Sequence, residues 1–109
     1  MNVTSEPILA AADVPPGAVV PVEIGGDEYV VWRARSGRLC AMPRICPHLD
    51  WDLAEASIEG DELVCPGHGW SFDPDGHACK RNLLGRADAK DDVETVPLVE
   101  RDGEVWVLR

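Results

Sequence analysis

At 109 residues the chain has room for one domain, read here as residues 1–109. It is 45% hydrophobic, which excludes a disordered chain. A net charge of −10 argues against nucleic acid or an anionic membrane surface as a partner and favours a basic patch on another protein, although acidity also serves solubility.

Ten glycines and nine prolines favour short strands and turns over long helices. Met1 to Asp13 has no basic residue and no apolar h-region, so no signal peptide is expected. Pro15-Pro16-Gly17 precedes an apolar run from Ala18 to Ile24, and Gly25-Gly26-Asp27 separates it from Tyr29-Val30-Val31-Trp32. Ser36-Gly37 leads into Leu39-Cys40-Ala41-Met42. Later, Gly60-Asp61 precedes Leu63-Val64, and Asp102-Gly103 joins Thr95–Val99 to Val105–Leu108. β-Branched and aromatic residues between turn dipeptides predict hairpins, hence an all-β fold, an antiparallel sandwich or small barrel. Leu53-Ala54-Glu55-Ala56-Ser57-Ile58-Glu59 has room for one helical turn, and the polar stretch from Asn82 to Asp92 reads as a surface loop. No run is long and apolar enough for a membrane helix.

Two short blocks carry the chemistry: Cys46-Pro47-His48 and, after sixteen intervening residues, Cys65-Pro66-Gly67-His68. Two thiolates and two imidazoles are a donor set for a [2Fe–2S] cluster with cysteine on one iron and histidine on the other. A zinc site can also be Cys₂His₂, but its usual spacing pairs cysteine with cysteine and histidine with histidine. Here each cysteine is paired with a histidine. Pro47, Pro66 and Gly67 suit tight loops.

With its continuation Gly69-Trp70-Ser71-Phe72-Asp73-Pro74-Asp75-Gly76, this pattern resembles the Rieske family from about Leu39 to Gly76, and the flanking strands fit more loosely. The resemblance implies one [2Fe–2S] cluster per chain. Cys46 and Cys65 would bind one iron, and His48 and His68 the other, with their outer ring nitrogens near solvent. It also implies a cluster-binding subdomain, at about residues 43–82, inserted between strands of the base. High-potential members carry an extra cysteine in each loop, joined as a disulfide, and a serine after the second His-Gly. The corresponding residues here are Trp51, Gly67 and Trp70. Fewer donors to sulfur imply a low-potential member.

On that resemblance the chain is expected to be a Rieske-type ferredoxin, a monomer rather than an enzyme. It would carry one electron from a flavoprotein ferredoxin reductase to a terminal oxygenase. The exit would be at His48 and His68, and the docking face around Leu49, Asp50, Pro66 and Gly67. After those two histidines only His77 is left, so no two-His, one-carboxylate iron site can be built within these residues. No Gly-rich dinucleotide fingerprint is present. Three alternatives stay open: the Rieske subunit or an excised domain of an oxygenase, the small subunit of a nitrite reductase, and a zinc-stabilised interaction module.

The remaining residues have plainer readings. Cys40 is expected in the core and Cys79 partly exposed, and unpaired thiols beside an iron–sulfur site point to a reducing cytoplasm. Trp32 and Trp106 are expected in the core of the base, and Trp51, Trp70 and Phe72 in the core of the cluster subdomain, where burial would also shield the cluster. Asp50 and Asp52 flank the first loop, as solvated residues or as charges that orient a partner. His77 reads as an exposed turn residue.

Overall fold

The computed structural model describes residues 7–45, 52–65, 70–75, 78–81, 87–89 and 95–108. Its eleven described strands are β1 (Leu9–Ala10), β2 (Val19–Ile24), β3 (Asp27–Arg33), β4 (Leu39–Pro43), β5 (Ser57–Glu59), β6 (Glu62–Val64), β7 (Trp70–Phe72), β8 (Ala78–Arg81), β9 (Ala87–Ala89), β10 (Leu98–Arg101) and β11 (Glu104–Val107). Helix is confined, among the described residues, to 3-10 turns at Ala11–Asp13 and Leu53–Glu55. None of it is long and apolar enough to cross a membrane.

The strands form three antiparallel sheets, in the orders β2-β3-β4, β1-β11-β10 and β5-β6-β7-β8-β9. The hairpins are set by their turns. Ile24 pairs with Asp27 across Gly25-Gly26, and Arg101 with Glu104 across Asp102-Gly103. All four turn residues have positive φ, the conformation whose twist matches the flanking strands.

The sheet β2-β3-β4 lies between two cores. Val30, Trp32 and Ala34, with Cys40 and Met42, face one apolar cluster; Val31 and Ala41 face the other. Successive strand residues point to opposite faces, so a sheet buried on both sides needs unbroken apolar runs. That is the origin of Tyr29–Trp32 and Leu39–Met42 in the sequence. On one side Val31 and Ala41 pack with Val14 and Val105, joining the sheet to β1-β11-β10. A backbone bond from Val96 N to Ala41 O, 2.9 Å, ties the same two sheets at their edges. On the other side Trp32 and Met42 pack with Leu53, Ile58, Leu63, Cys65 and Phe72, which belong to the five-stranded sheet and its approaches.

Arg33 links three segments of the base. Its side chain, only 12% exposed, donates to Val14 O (2.7 Å), to Gly37 O (3.0 Å) and to Glu100 Oε1 (3.0 Å).

Two expectations need correction. Asn82 to Asp92 is not loop throughout: Ala87–Ala89 pairs with β8 as the outer strand of its sheet. Three residues of alternating small and polar type give no periodic signal, and the strand forms because β8 offers it a free edge. Trp106 is half-buried rather than fully in the core, whereas Trp32 is completely enclosed.

Candidate metal centre

Both motif-bearing loops leave from paired strand ends. The first loop follows β4. Ile45 and Asp52, which flank residues 46–51, form an isolated antiparallel bridge. Leu53 N donates to Arg44 O at 2.7 Å, and Arg44 N donates to Glu28 O at 3.2 Å. The second loop is the β6–β7 connection, closed by the pairs Leu63 with Phe72 and Val64 with Ser71.

The neck of the first loop is charged. Arg44 grips Asp52 with both arms of its guanidinium, Nε to Oδ1 at 2.9 Å and NH2 to Oδ2 at 3.0 Å. Its remaining nitrogen, NH1, reaches Glu28 Oε1 at 3.3 Å. Asp52 Oδ1 also accepts from Ala54 N at 2.9 Å, capping the 3-10 turn Leu53–Glu55. The Arg44 guanidinium, with help from the Ala54 amide, holds the Asp52 carboxyl below the usual carboxylate range. Asp52 is therefore an ion-paired cap and not merely a solvated loop residue. A capping signature was present in the sequence as Asp52-Leu53-Ala54-Glu55, an acceptor followed three residues on by an acid. Arg44 carried no such signal.

The capped turn drives Leu53 inward, where it is fully buried. It shares a core cluster with Cys65, Met42, Leu63 and Phe72. Cys65, the first residue after β6, is only 2% exposed. The return of the first loop and the departure of the second thus meet in one dry core. Behind them Ser71, also buried, donates to Glu62 Oε2 at 3.2 Å.

Of the four predicted ligands, Cys65 is placed here. Cys46, His48 and His68 lie outside the described residues, as do Leu49, Asp50, Trp51, Pro66, Gly67 and His77. Phe72 is fully buried beside Cys65 in the same cluster. The backbone of Trp70 pairs with Lys80, and that of Cys79 lies on β8 opposite Ser71. Cys40 is a free, buried cysteine in mid-strand. Burial pushes its thiol up to about 12. The Trp32 indole across the strand pair opposes that rise, but the geometry falls short of a hydrogen bond, and Trp32 Nε1 has no partner among the described residues.

No group of three or more His, Cys, Asp or Glu that could hold a metal ion occurs among the described residues. What is described fits an iron–sulfur centre. A soft sulfur donor stands in dry surroundings at the root of one loop, packed with the residue that anchors the other.

The family model for the Rieske [2Fe-2S] domain matches residues 4–103. The chain belongs to the Rieske [2Fe-2S] domain family. The family's cofactor is a [2Fe–2S] cluster, in keeping with the buried Cys65 sulfur.

Similar proteins fall into two groups. Among solved structures, a ferredoxin of Sphingomonas yanoikuyae B1 is 24% identical with a TM-score of 0.76, covering 95% of this chain and 97% of that one. A chain from the complex of reduced oxygenase and oxidized ferredoxin in carbazole 1,9a-dioxygenase is 25% identical, TM-score 0.73, covering 94% of this chain and 90% of that one. Among curated proteins, the 5,5'-dehydrodivanillate O-demethylase oxygenase subunit of a Sphingobium species is 31% identical over 106 residues, 92% of this chain and 25% of that protein. Chlorophyllide a oxygenase of Chlamydomonas reinhardtii is 30% identical over 101 residues, 93% of this chain and 16% of that protein. The chain spans a quarter or less of the length of these two curated relatives.

Proposed function

We propose that this Rieske domain is a one-electron carrier of the ferredoxin type, with Cys46, His48, Cys65 and His68 as the ligands of its cluster. One observation carries the ligand reading: both loops are rooted in the same core cluster, through Leu53 and Cys65. When bound, a [2Fe–2S] cluster takes up and releases a single electron. The chain's residues supply everything else. Cys46 and Cys65 would hold one iron through sulfur, and His48 and His68 would hold the other through a ring nitrogen. Leu53, Leu63 and Phe72 exclude water behind Cys65. In this reading His48 and His68 would serve as the electron exit, and Leu49, Asp50, Pro66 and Gly67 would belong to the docking face.

The ferredoxin reading is supported by the match to nearly the whole of the Sphingomonas ferredoxin. Its partners are then a flavoprotein reductase and a terminal oxygenase, the latter in line with the ferredoxin–oxygenase complex among its relatives. The carrier works as a monomer, one domain over residues 1–109 with its cluster subdomain at about 43–82, in a reducing cytoplasm. Residues 1–109 supply no second iron site, since two of their three histidines are assigned as ligands, and this supports electron transfer rather than oxygenation as the work of this domain. A second reading, the Rieske domain of an oxygenase, is supported by the oxygenases among its curated relatives.

Anaerobically purified protein should be brown, with iron and acid-labile sulfide in equal amounts and a reduced-state EPR signal whose average g lies below the free-electron value. Stoichiometric zinc without sulfide would overturn the ligand reading and favour the zinc module. The carrier reading requires the isolated chain, reduced by a flavoprotein reductase, to pass its electron to an oxygenase on a separate polypeptide. If the chain copurifies only as part of a larger iron enzyme, it is an oxygenase domain or subunit.

A further inference from the structure

We propose that Arg44 and Asp52 are positioning residues for the cluster: together they clasp the neck of the first ligand loop and hold its two donors at the mouth of the core. The inference rests on the ligand assignment above, which puts Cys46 and His48 on that loop.

The two residues that flank positions 46–51 are fixed to each other. Ile45 and Asp52 are bridged, and Leu53 N donates to Arg44 O at 2.7 Å. Over this backbone pairing lies the two-armed ion pair, at 2.9 and 3.0 Å. Two parallel charge-assisted bonds fix orientation as well as distance, which a single contact does not.

Asp52 does two things at once. Its Oδ1 accepts from Arg44 and also from Ala54 N, so the clasp and the cap share one oxygen. The cap sets the turn that buries Leu53, and Leu53 packs in the cluster that contains Cys65. Arg44 in turn is anchored to the base hairpin through Glu28, by its backbone N and by NH1. A continuous series of contacts therefore runs from Glu28 through Arg44, Asp52 and Leu53 to Cys65. It ties the base to the first loop and the first loop to the root of the second.

Exposure decides what such a pair does. The Arg44 and Asp52 side chains are 29% and 36% exposed, against 56% and 57% for Arg38 and Asp75, an ion pair at 2.7 Å. An exposed pair of that kind adds little to global stability. The clasp, too near the surface to govern global unfolding, acts on a local event: the opening of a short loop. Local opening runs at free energies well below global unfolding, and it is the opening a chelator needs in order to reach iron.

The test uses cluster-loaded protein under anaerobic conditions. Wild type, R44Q, R44K, D52N, R44Q/D52N and R38Q are mixed with excess bathophenanthroline disulfonate, without denaturant and well below the melting temperature. Loss of visible absorbance gives the release rate. Asparagine still caps a helical turn, so D52N removes the charge and the Oδ2 arm of the clasp and spares the cap. R44K keeps the charge and loses the fork. R44Q, R44K and D52N should each release iron about tenfold faster than wild type, the double variant no faster than R44Q, and R38Q at the wild-type rate. The reduced-state EPR lines should broaden in the clasp variants and not in R38Q, which a general loss of stability would not produce.

Wild-type release rates in R44Q and D52N would overturn the proposal. So would independent, multiplying effects in the double variant, or an equal acceleration in R38Q. If C46S and H48A retained a normal cluster, the ligand assignment itself would fail, and that result is separate from any of these.

Discussion

Replacing Leu53 by alanine tests whether the two loops share one foundation. Leu53 is fully buried, in contact with the cluster that holds Met42, Leu63, Cys65 and Phe72. The substitution removes three carbons, worth about 0.8 kcal/mol each in transfer from water, roughly 2.4 kcal/mol together. The space left behind adds to this, because a packed core relaxes only in part, so the total should be about 3 kcal/mol. That is a large share of the roughly 5–15 kcal/mol that holds a small domain together. On the thermal scale it corresponds to a fall of about 12–24 °C in melting midpoint. The comparison variant is Ile45→Ala. Ile45 is 46% exposed and lies at the same loop neck, so its loss should cost under about 1 kcal/mol. The assay is anaerobic unfolding by urea, with far-UV circular dichroism reporting the fold and visible absorbance the cluster. Because cofactor loss breaks two-state behaviour, midpoints are compared between variants under identical conditions. Both signals should move to lower urea in L53A, and neither by much in I45A. Equal midpoints for the two variants would refute the reasoning, since Leu53 would then not be the seat of the loop.

Three further outcomes are expected. Arg33→Met leaves the Val14 and Gly37 carbonyls without their charged donor and breaks the contact to Glu100, which should cost about 3 kcal/mol by denaturation, and Arg33→Lys should not restore it because one ammonium cannot replace the three-way fork. Cys40 should resist thiol reagents at pH 8 until the protein unfolds; because its folded-state pKa is raised to about 12, its contribution is intact below the unfolded value near 8.5 and is lost as pH rises through the window between them, so C40A should flatten the alkaline fall in stability. The midpoint potential, measured by protein-film voltammetry, should lie near the low end of the Rieske range, at about −150 mV, and vary little around pH 7; a value above roughly +100 mV would refute the low-potential assignment.

The sequence made much of this fold legible, and its gaps have physical causes. The hairpins β2–β3 and β10–β11 were announced by Gly25-Gly26 and Asp102-Gly103, because a two-residue turn with positive φ admits few residue types. The runs in β3 and β4 were visible because a sheet buried on both faces must be apolar at every position. By contrast β1, two residues long, exists only because β11 offers it an edge, and β9 exists only because β8 does. Neither has a local signal to read. At the candidate metal centre the proposed donors stood out by type and spacing. Their supports did not: Arg44 and Asp52 are eight residues apart and meet because the loop between them closes, which is a property of the folded backbone.

Cys40 and Cys65 show why burial alone does not identify a ligand. Cys40 and Cys65 lie in the same core cluster, each about 2% exposed. Dry surroundings oppose a thiolate unless a cation stands beside it, so burial silences a thiol by default. Chain position separates them. Cys40 is in the middle of β4, with strand residues on either side and Trp32 opposite. A ladder fixed on both sides of it cannot bend to bring a second donor to the same metal. Cys65 is the first residue beyond β6, and the chain that follows reaches His68 within three residues. In the proposed ligand set a bound metal's charge would replace the proton that the core otherwise demands of the Cys65 thiol. The core supplies the dry wall for both sulfurs. The strand end, with His68 three residues further along the sequence, is what favours Cys65 over Cys40 as the proposed ligand.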